Sequence, residues 1–245
     1  MRGEEEINCL TWVKQNLYGN SVQYYCDDLQ RIIRILKSAE PNPAQSSFPD
    51  FLFEDGFIEH FQITASKETR KGALHKQTQA QFHNEVKQRF QILCNDLNSA
   101  PPSNSLSRET AEMKALPYSY EMYEASFKKN WHHHIKSLNK YTGSGEIGIF
   151  LIEYQGPLFK LIRDGKLAGF YKFHEDASML RYIAEYQNKL SYMIYKHLSD
   201  CEIIEMKNIP ALIEQAPHDI QYEPGRWKEV HINMAVDIMI DGSVQ

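Results

Sequence analysis

Apolar residues early in the chain recur at helical spacing, then give way to alternating and continuous apolar runs. Residues 5–18 predict a short helix. Ser21 to Lys37 predicts a longer one, because Leu29, Ile32, Ile33 and Leu36 fall on one face. Glu40-Pro41-Asn42-Pro43 ends it, since proline cannot continue a helix and restricts the residue before it. Residues 48–63 read as two short strands joined by a tight turn at Glu54-Asp55-Gly56. Residues 76–98 predict a helix with Phe82, Val86, Phe90 and Leu93 on one side, and residues 107–115 a short one. Between them, Ala100-Pro101-Pro102-Ser103-Asn104-Ser105 is a loop. Ser119 to Tyr141 predicts a further helix carrying Phe127, Trp131, Ile135 and Leu138.

Thr142-Gly143-Ser144-Gly145 breaks that helix. Glu146 to Tyr154 is a continuous apolar run of the kind found in strands buried on both faces. Asp176 to Leu198 predicts a helix, Glu202 to Lys207 a strand, Ile209 to Glu214 a short helix and residues 229–240 a last strand. Strands flanked by helices imply an α/β class with a central sheet. The chain is expected to form a single domain, 1–245, with a mostly helical insertion at about 66–144.

Composition narrows the class without naming a function. The chain has 245 residues, 42% hydrophobic and 24% charged, ordinary for a globular protein. No apolar run approaches the roughly 20 residues needed to span a bilayer. The acidic start, Met1-Arg2-Gly3-Glu4-Glu5-Glu6, is unlike a signal peptide, so the expected compartment is the cytoplasm. The four cysteines, Cys9, Cys26, Cys94 and Cys201, are scattered with no Cys-x-x-Cys spacing. Buried free thiols are expected rather than a structural zinc site.

The net charge is −5, yet the basic residues are clustered. Lys67, Arg70, Lys71, Lys76, Lys87 and Arg89 fall in one run; Lys128, Lys129, Lys136 and Lys140 fall in another that has no acid between Ala125 and Gly145. Either run suits a phosphate backbone, and either also suits a solvated helix face.

The densest chemistry lies in residues 48–63. Pro49-Asp50 precedes the first strand, and Glu59, His60 and Gln62 sit among Phe57, Ile58, Phe61 and Ile63 in the second. Such groups are costly to bury without partners. Hard divalent cations take carboxylate oxygens, activate water and stabilise charge developing on a phosphate. Strand side chains alternate, so His60 and Gln62 share one face while Glu59 shares the other with Phe61.

These residues resemble the PD-(D/E)xK nuclease superfamily, which has the restriction-endonuclease-like fold. The resemblance spans residues 20–65 and 145–208. It implies a three-layer core, a central mixed sheet flanked by helices, with a helix before the catalytic strands and another after them. It implies a metal-dependent nuclease hydrolysing phosphodiester bonds in DNA, with magnesium or manganese as cofactor, and it allows a homodimer. Asp50 matches the acid of the Pro-Asp and is the implied metal ligand. Glu59 or His60 completes the metal site, and Gln62 positions water or phosphate.

The second half departs from the pattern. His60-Phe61-Gln62 stands where the family has acid-x-lysine, and if Glu59 is the acid, Gln62 points the other way unless a bulge intervenes. A ring nitrogen of His60 as ligand would favour manganese or a later transition ion. Lys67 or Lys71 would then reach back as the missing cation, and Glu40 would add an acid. Lys71, Lys76, Lys128 and Lys129 are the expected nucleic-acid contacts. The alternative is a catalytically inactive nuclease-like fold that binds nucleic acid or a protein; an unrelated α/β protein is the third reading.

Two other constellations compete. Glu153-Tyr154-Gln155 also has the acid-x-Gln form, and lines the same cleft if its strand neighbours the second one. His132-His133-His134 cannot ligate one ion together, because consecutive helical residues point about 100° apart. The tyrosines at 182, 186, 192 and 195 read as core packing. No Gly-x-x-x-x-Gly-Lys loop or Gly-x-Ser-x-Gly elbow is present, which argues against P-loop and α/β-hydrolase chemistry.

Overall fold

The computed structural model describes residues 3–44, 48–65, 68–69, 72–99, 107–114, 119–143, 145–162, 165–224 and 229–236. The chain begins with helix α1 (Glu4–Asn16), strand β1 (Val22–Tyr25) and helix α2 (Leu29–Ser38). Strands β2 (Glu40–Pro41), β3 (Phe51–Phe53) and β4 (Gly56–Ile63) follow, then β5 (Glu68–Thr69), β6 (Gly72–Ala73), helix α3 (Leu74–Ser99) and β7 (Ser107–Lys114). Helix α4 (Tyr120–Leu138) leads to β8 (Ile147–Tyr154), β9 (Leu158–Ile162) and β10 (Lys166–Phe170). The last elements are α5 (Ala177–Ala184), β11 (Tyr192–His197), β12 (Asp200–Glu205), α6 (Ile209–Gln215), β13 (Ile220–Pro224) and β14 (Glu229–Val236).

The chain divides into two units. The first comprises Met1–Ala65 and Ser119–Gly225, the second Ser66–Tyr118 and Arg226–Gln245. The first unit is built on a seven-stranded mixed sheet in the order β1-β12-β11-β8-β4-β3-β2. β2, β3 and β4 form an antiparallel meander, β4 runs parallel to β8, and β8 parallel to β11. A smaller sheet, β10-β9-β13, belongs to the same unit.

Every residue of β8 is buried, as its continuous apolar run predicts for a central strand with both faces covered. On one face, Ile147, Ile149 and Leu151 of β8 join Ile58, Tyr192, Ile194, Cys201 and Ile203 against α1 and α2, which contribute Leu10, Val13, Ile32 and Leu36. On the other, Phe61 and Phe150 meet the stripe that α4 presents every fourth residue, Tyr123, Phe127, Trp131 and Ile135. Helix starts follow local chemistry: Asp28 accepts from Arg31 N, Ser119 from Met122 N and Asp176 from Met179 N, each satisfying an amide the helix leaves open. The sheet also needs Gly56, because a Cβ there would lie 2.0 Å from the carbonyl oxygen of Ile147.

Several expected elements change type. Val22–Tyr25 is a strand parallel to β12, not the first turns of a helix; its aromatic and β-branched residues suit a sheet, and the helix starts only after the Asp28 cap. Ser107–Lys114 is a strand paired antiparallel with β14 in the second unit, not a short helix. The expected helix from Asp176 to Leu198 stops at Ala184, and Tyr192–His197 forms a buried strand. A short apolar run of that kind does not reveal by periodicity alone which state it takes. β9, β10 and β13 were not anticipated. Tyr120–Leu138, expected inside the insertion, belongs to the first unit, which the chain re-enters where Ser119 N bonds Ala65 O. The second unit pairs helix α3 with the β7–β14 ribbon.

Candidate functional site

The two strands that carried the densest chemistry bring Asp50 and Glu59 together. Antiparallel pairing sets Phe51 opposite Ile58, which carries the residue before β3 alongside Glu59. The segment ahead of Asp50 is held in place: Asn42 Nδ2 donates to Pro49 O at 2.7 Å, Asn42 N donates to Asp50 O at 2.8 Å, and Phe48 packs on Phe57 and Tyr141. Asp50 N donates to Glu59 Oε2 at 3.2 Å, and His60 N donates to Asp50 Oδ2 at 2.8 Å. Both carboxylates line a cavity of about 540 Å³, together with Glu6 of α1 and His133, His134 and Ser137 of α4.

The electrostatics of this cavity are unbalanced. Burial raises Glu59 from its ordinary value to about 7, against the hydrogen bond it accepts from Asp50 N. Burial, and then the charge of Glu59, raises Asp50 to about 6. The charge of Glu6 pushes both further upward. Among the described residues lining the cavity there is no lysine or arginine. His134 Nδ1 lies 2.6 Å from Glu59 Oε1, a distance that suits an ion pair. Burial nevertheless holds His134 down at about 4, so near neutral pH the imidazole is uncharged and the contact is a hydrogen bond sharing one proton. The ring is fixed by stacking on Phe61, 4.5 Å away and nearly parallel at 10°.

The opposite face of the sheet holds a second buried polar group. His60 and Gln62 point there, as strand alternation requires. Parallel pairing sets Gln62 beside Glu153 of β8. Gln62 Nε2 donates to Glu153 Oε2 at 2.9 Å, and Lys196 Nζ of β11 donates to Oε1 at 2.8 Å. Burial opposes the charge on Glu153, but the approach of His60 and the bonds from Lys196 and Gln62 reverse that effect and hold it at about 2. His60 Nε2 lies 3.7 Å from Glu153 Oε2 and is buried without a hydrogen-bond partner. Cys9, His60 and Glu153 form a buried group, with donor atoms within 4.8 Å of one another, that could hold a metal ion.

The sequence candidates therefore separate. Asp50 and Glu59 converge on one cavity. His60 also lines that cavity and gives its backbone amide to Asp50, while its ring approaches Glu153 and Gln62 bonds Glu153 on the other face. Glu153 also lies on that other side, and Gln155 is exposed. Glu40 is exposed in β2; the additional acids lining the cavity are Glu4 and Glu6. Lys128 pairs with Glu124 at 2.6 Å and sits over the Tyr182 ring, whereas Lys129 is exposed on α4. Lys67 and Lys71 lie outside the described residues. Lys76 lies in α3 of the second unit, and its side chain is likewise outside the description. His134 and Cys9 were missed. The signal for His134 was available, since it follows Trp131 by three positions and so turns toward the sheet while His132 and His133 stay exposed. Only a three-dimensional arrangement brings Cys9 to His60.

No family model matches this chain, and no curated protein or solved structure matches it.

Proposed function

We propose that this chain is a metal-dependent nuclease whose centre is the Asp50–Glu59 pair. The observation that carries the reading is that pair: two carboxylates from adjacent strands share a cavity, both raised above their ordinary range, with no lysine or arginine among the described lining residues. Buried acids without a cation are destabilising, and they cluster where a site is built to receive one. The donor set, two carboxylates with a third acid nearby, suits magnesium or manganese. Such an ion, when bound, activates water and stabilises charge developing on a phosphate. Asp50 and Glu59 would hold it, the amide of His60 keeps Asp50 oriented, and neutral His134 anchors Glu59 and is able to accept a proton.

Two further features support a nucleic-acid substrate. Lys129, His133 and Lys136 are exposed at helical spacing along α4, with Lys140 just beyond, on the helix that also lines the cavity with His133 and His134. A stripe of lysines beside an acidic cavity suits a phosphate backbone approaching a metal. The element order also fits the restriction-endonuclease-like expectation. Helix α2 precedes the antiparallel β2–β3–β4 meander, and α4 follows it before the parallel strand β8.

One observation favours a binding module without catalysis. With Glu59 as the acid, the position two residues on is Phe61, where the family places lysine. Cleavage of plasmid, single-stranded DNA and RNA with magnesium and with manganese tests both readings, wild type beside Asp50→Asn. Cleavage by the wild type alone supports the nuclease. Retained nucleic-acid binding with no cleavage and no divalent-ion affinity at Asp50 supports the module.

A further inference from the structure

We propose that Cys9, His60 and Glu153 form a second metal site, for an ion of the zinc class, on the face of the sheet opposite Asp50 and Glu59. The inference is independent of the nuclease reading. Three separate elements supply the donors: α1 gives a thiol, β4 an imidazole and β8 a carboxylate. All three residues are buried, with Cys9 2%, His60 5% and Glu153 5% exposed. Their donor atoms lie within 4.8 Å of one another. Tetrahedral zinc, with bonds of roughly 2.0–2.3 Å, holds its ligand atoms about 3.5 Å apart, so the donors need to close by about 1 Å.

The unpartnered Nε2 of His60 is the observation that points to a ligand. A buried ring nitrogen without a hydrogen bond carries a desolvation penalty that the surrounding apolar packing does not relieve. It faces the Glu153 carboxylate at 3.7 Å, too far for a hydrogen bond. A metal ion between them would satisfy the nitrogen. The supports of such a site are already in place, because Gln62 and Lys196 fix Glu153 by hydrogen bonds of the kind that orient metal ligands. Thiolate with imidazole excludes magnesium and calcium and selects zinc or a neighbouring transition ion. Binding would release the Cys9 thiol proton to solvent, leaving thiolate and carboxylate to offset the two charges of the ion.

Cobalt(II) titration of the full chain, freed of metal by chelation, is the test. The expected result is one thiolate-bound cobalt per chain, read from a near-ultraviolet thiolate-to-cobalt charge-transfer band that saturates at one equivalent and that zinc displaces. Asp50→Asn keeps the band, because an all-oxygen site gives none. Cys9→Ser removes it, while Cys26→Ser and Cys94→Ser leave it. Gln62→Leu keeps the band and weakens cobalt affinity about 10-fold, the scale of a lost supporting contact. Absence of a thiolate band in the wild type overturns the proposal, whether or not the protein is an active nuclease. A band that survives Cys9→Ser, or disappears in Cys26→Ser or Cys94→Ser, overturns it as well.

Discussion

Glu59 and His134 meet at 2.6 Å, yet both are displaced toward their uncharged forms. Burial drives each shift, and the proton between them substitutes for a cation. This arrangement predicts a trade between stability and activity. Glu59→Gln keeps the acceptor for Asp50 N and offers an N–H to His134 Nδ1, but removes a carboxylate that is costly to ionise. At pH 8, without divalent ions, the variant should be more stable by roughly 2 kcal/mol, a fraction of what a shift of this size represents. That corresponds to about 5 °C in Tm for a chain of this length. Metal-dependent cleavage should be lost. A less stable variant, or one that still cleaves, counts against the site.

Divalent-ion binding should be strongly pH-dependent across the neutral range. Asp50 and Glu59 are raised to about 6 and about 7. An acid raised on folding binds more protons in the folded state, so its contribution to stability is full below its unfolded value and falls as pH rises through the folded one. The metal-free protein therefore loses stability between about pH 4 and pH 7 from these two groups. At the proposed Asp50–Glu59 site manganese competes with the same protons, so its stabilising effect should be small at pH 5 and reach a plateau near pH 8. Thermal unfolding at fixed manganese concentration checks this. A rise in Tm that is already complete at pH 5 would exclude these carboxylates as the ligands.

Much of the architecture was legible from periodicity because its helices are long and its central strand is continuously apolar. The α4 stripe of Phe127, Trp131 and Ile135 and the β8 run are both where the pattern placed them. Short buried strands were not legible: Tyr192–His197 is as apolar as a helix core, and its pairing with β8 on one side and β12 on the other decides its state. In the site, Pro49-Asp50 and Glu59 were readable because they lie close in sequence across one hairpin. The division between Glu59 and His60 was also foreseeable from strand alternation, but which face opens to a cavity depends on α1 and α4. Cys9 was unreadable for a different reason. Spacing rules find metal ligands that share a loop, whereas Cys9 lies on a helix and its neighbours His60 and Glu153 on two strands.

Gln62 separates the motif from the geometry. The sequence resemblance makes it the residue that positions water, whereas the fold aims its amide at Glu153, across the sheet from Asp50. Gln62→Leu should cost about 1 kcal/mol, the value of a buried hydrogen bond to a group that keeps its other partner. It should leave metal-dependent cleavage within about twofold of wild type, an expectation from its position on the far face of the sheet. Urea unfolding and cleavage rates measured on the same preparation decide the matter. A loss of cleavage with unchanged stability would return Gln62 to the reacting centre.

Lys196 and Glu153 give the sharpest stability prediction. Both are buried, at 8% and 5% exposure, and their charges meet at 2.8 Å between adjacent parallel strands. Removing one partner strands the other charge in the core, which typically destabilises by roughly 3–5 kcal/mol. Lys196→Met should show a loss of that size at pH 7. Pairing it with Glu153→Gln should recover part of the loss, since no uncompensated charge remains. The pH dependence has the opposite sign to that of Asp50 and Glu59. Glu153 is held at about 2, below its ordinary 4.5, so its contribution is present above the unfolded value and lost as pH falls toward 2. Wild type should therefore lose stability through this acid range, and the slope should flatten in Lys196→Met, where burial is opposed only by His60 and Gln62. Equal acid slopes in the two proteins would show that Lys196 is not what keeps Glu153 ionised.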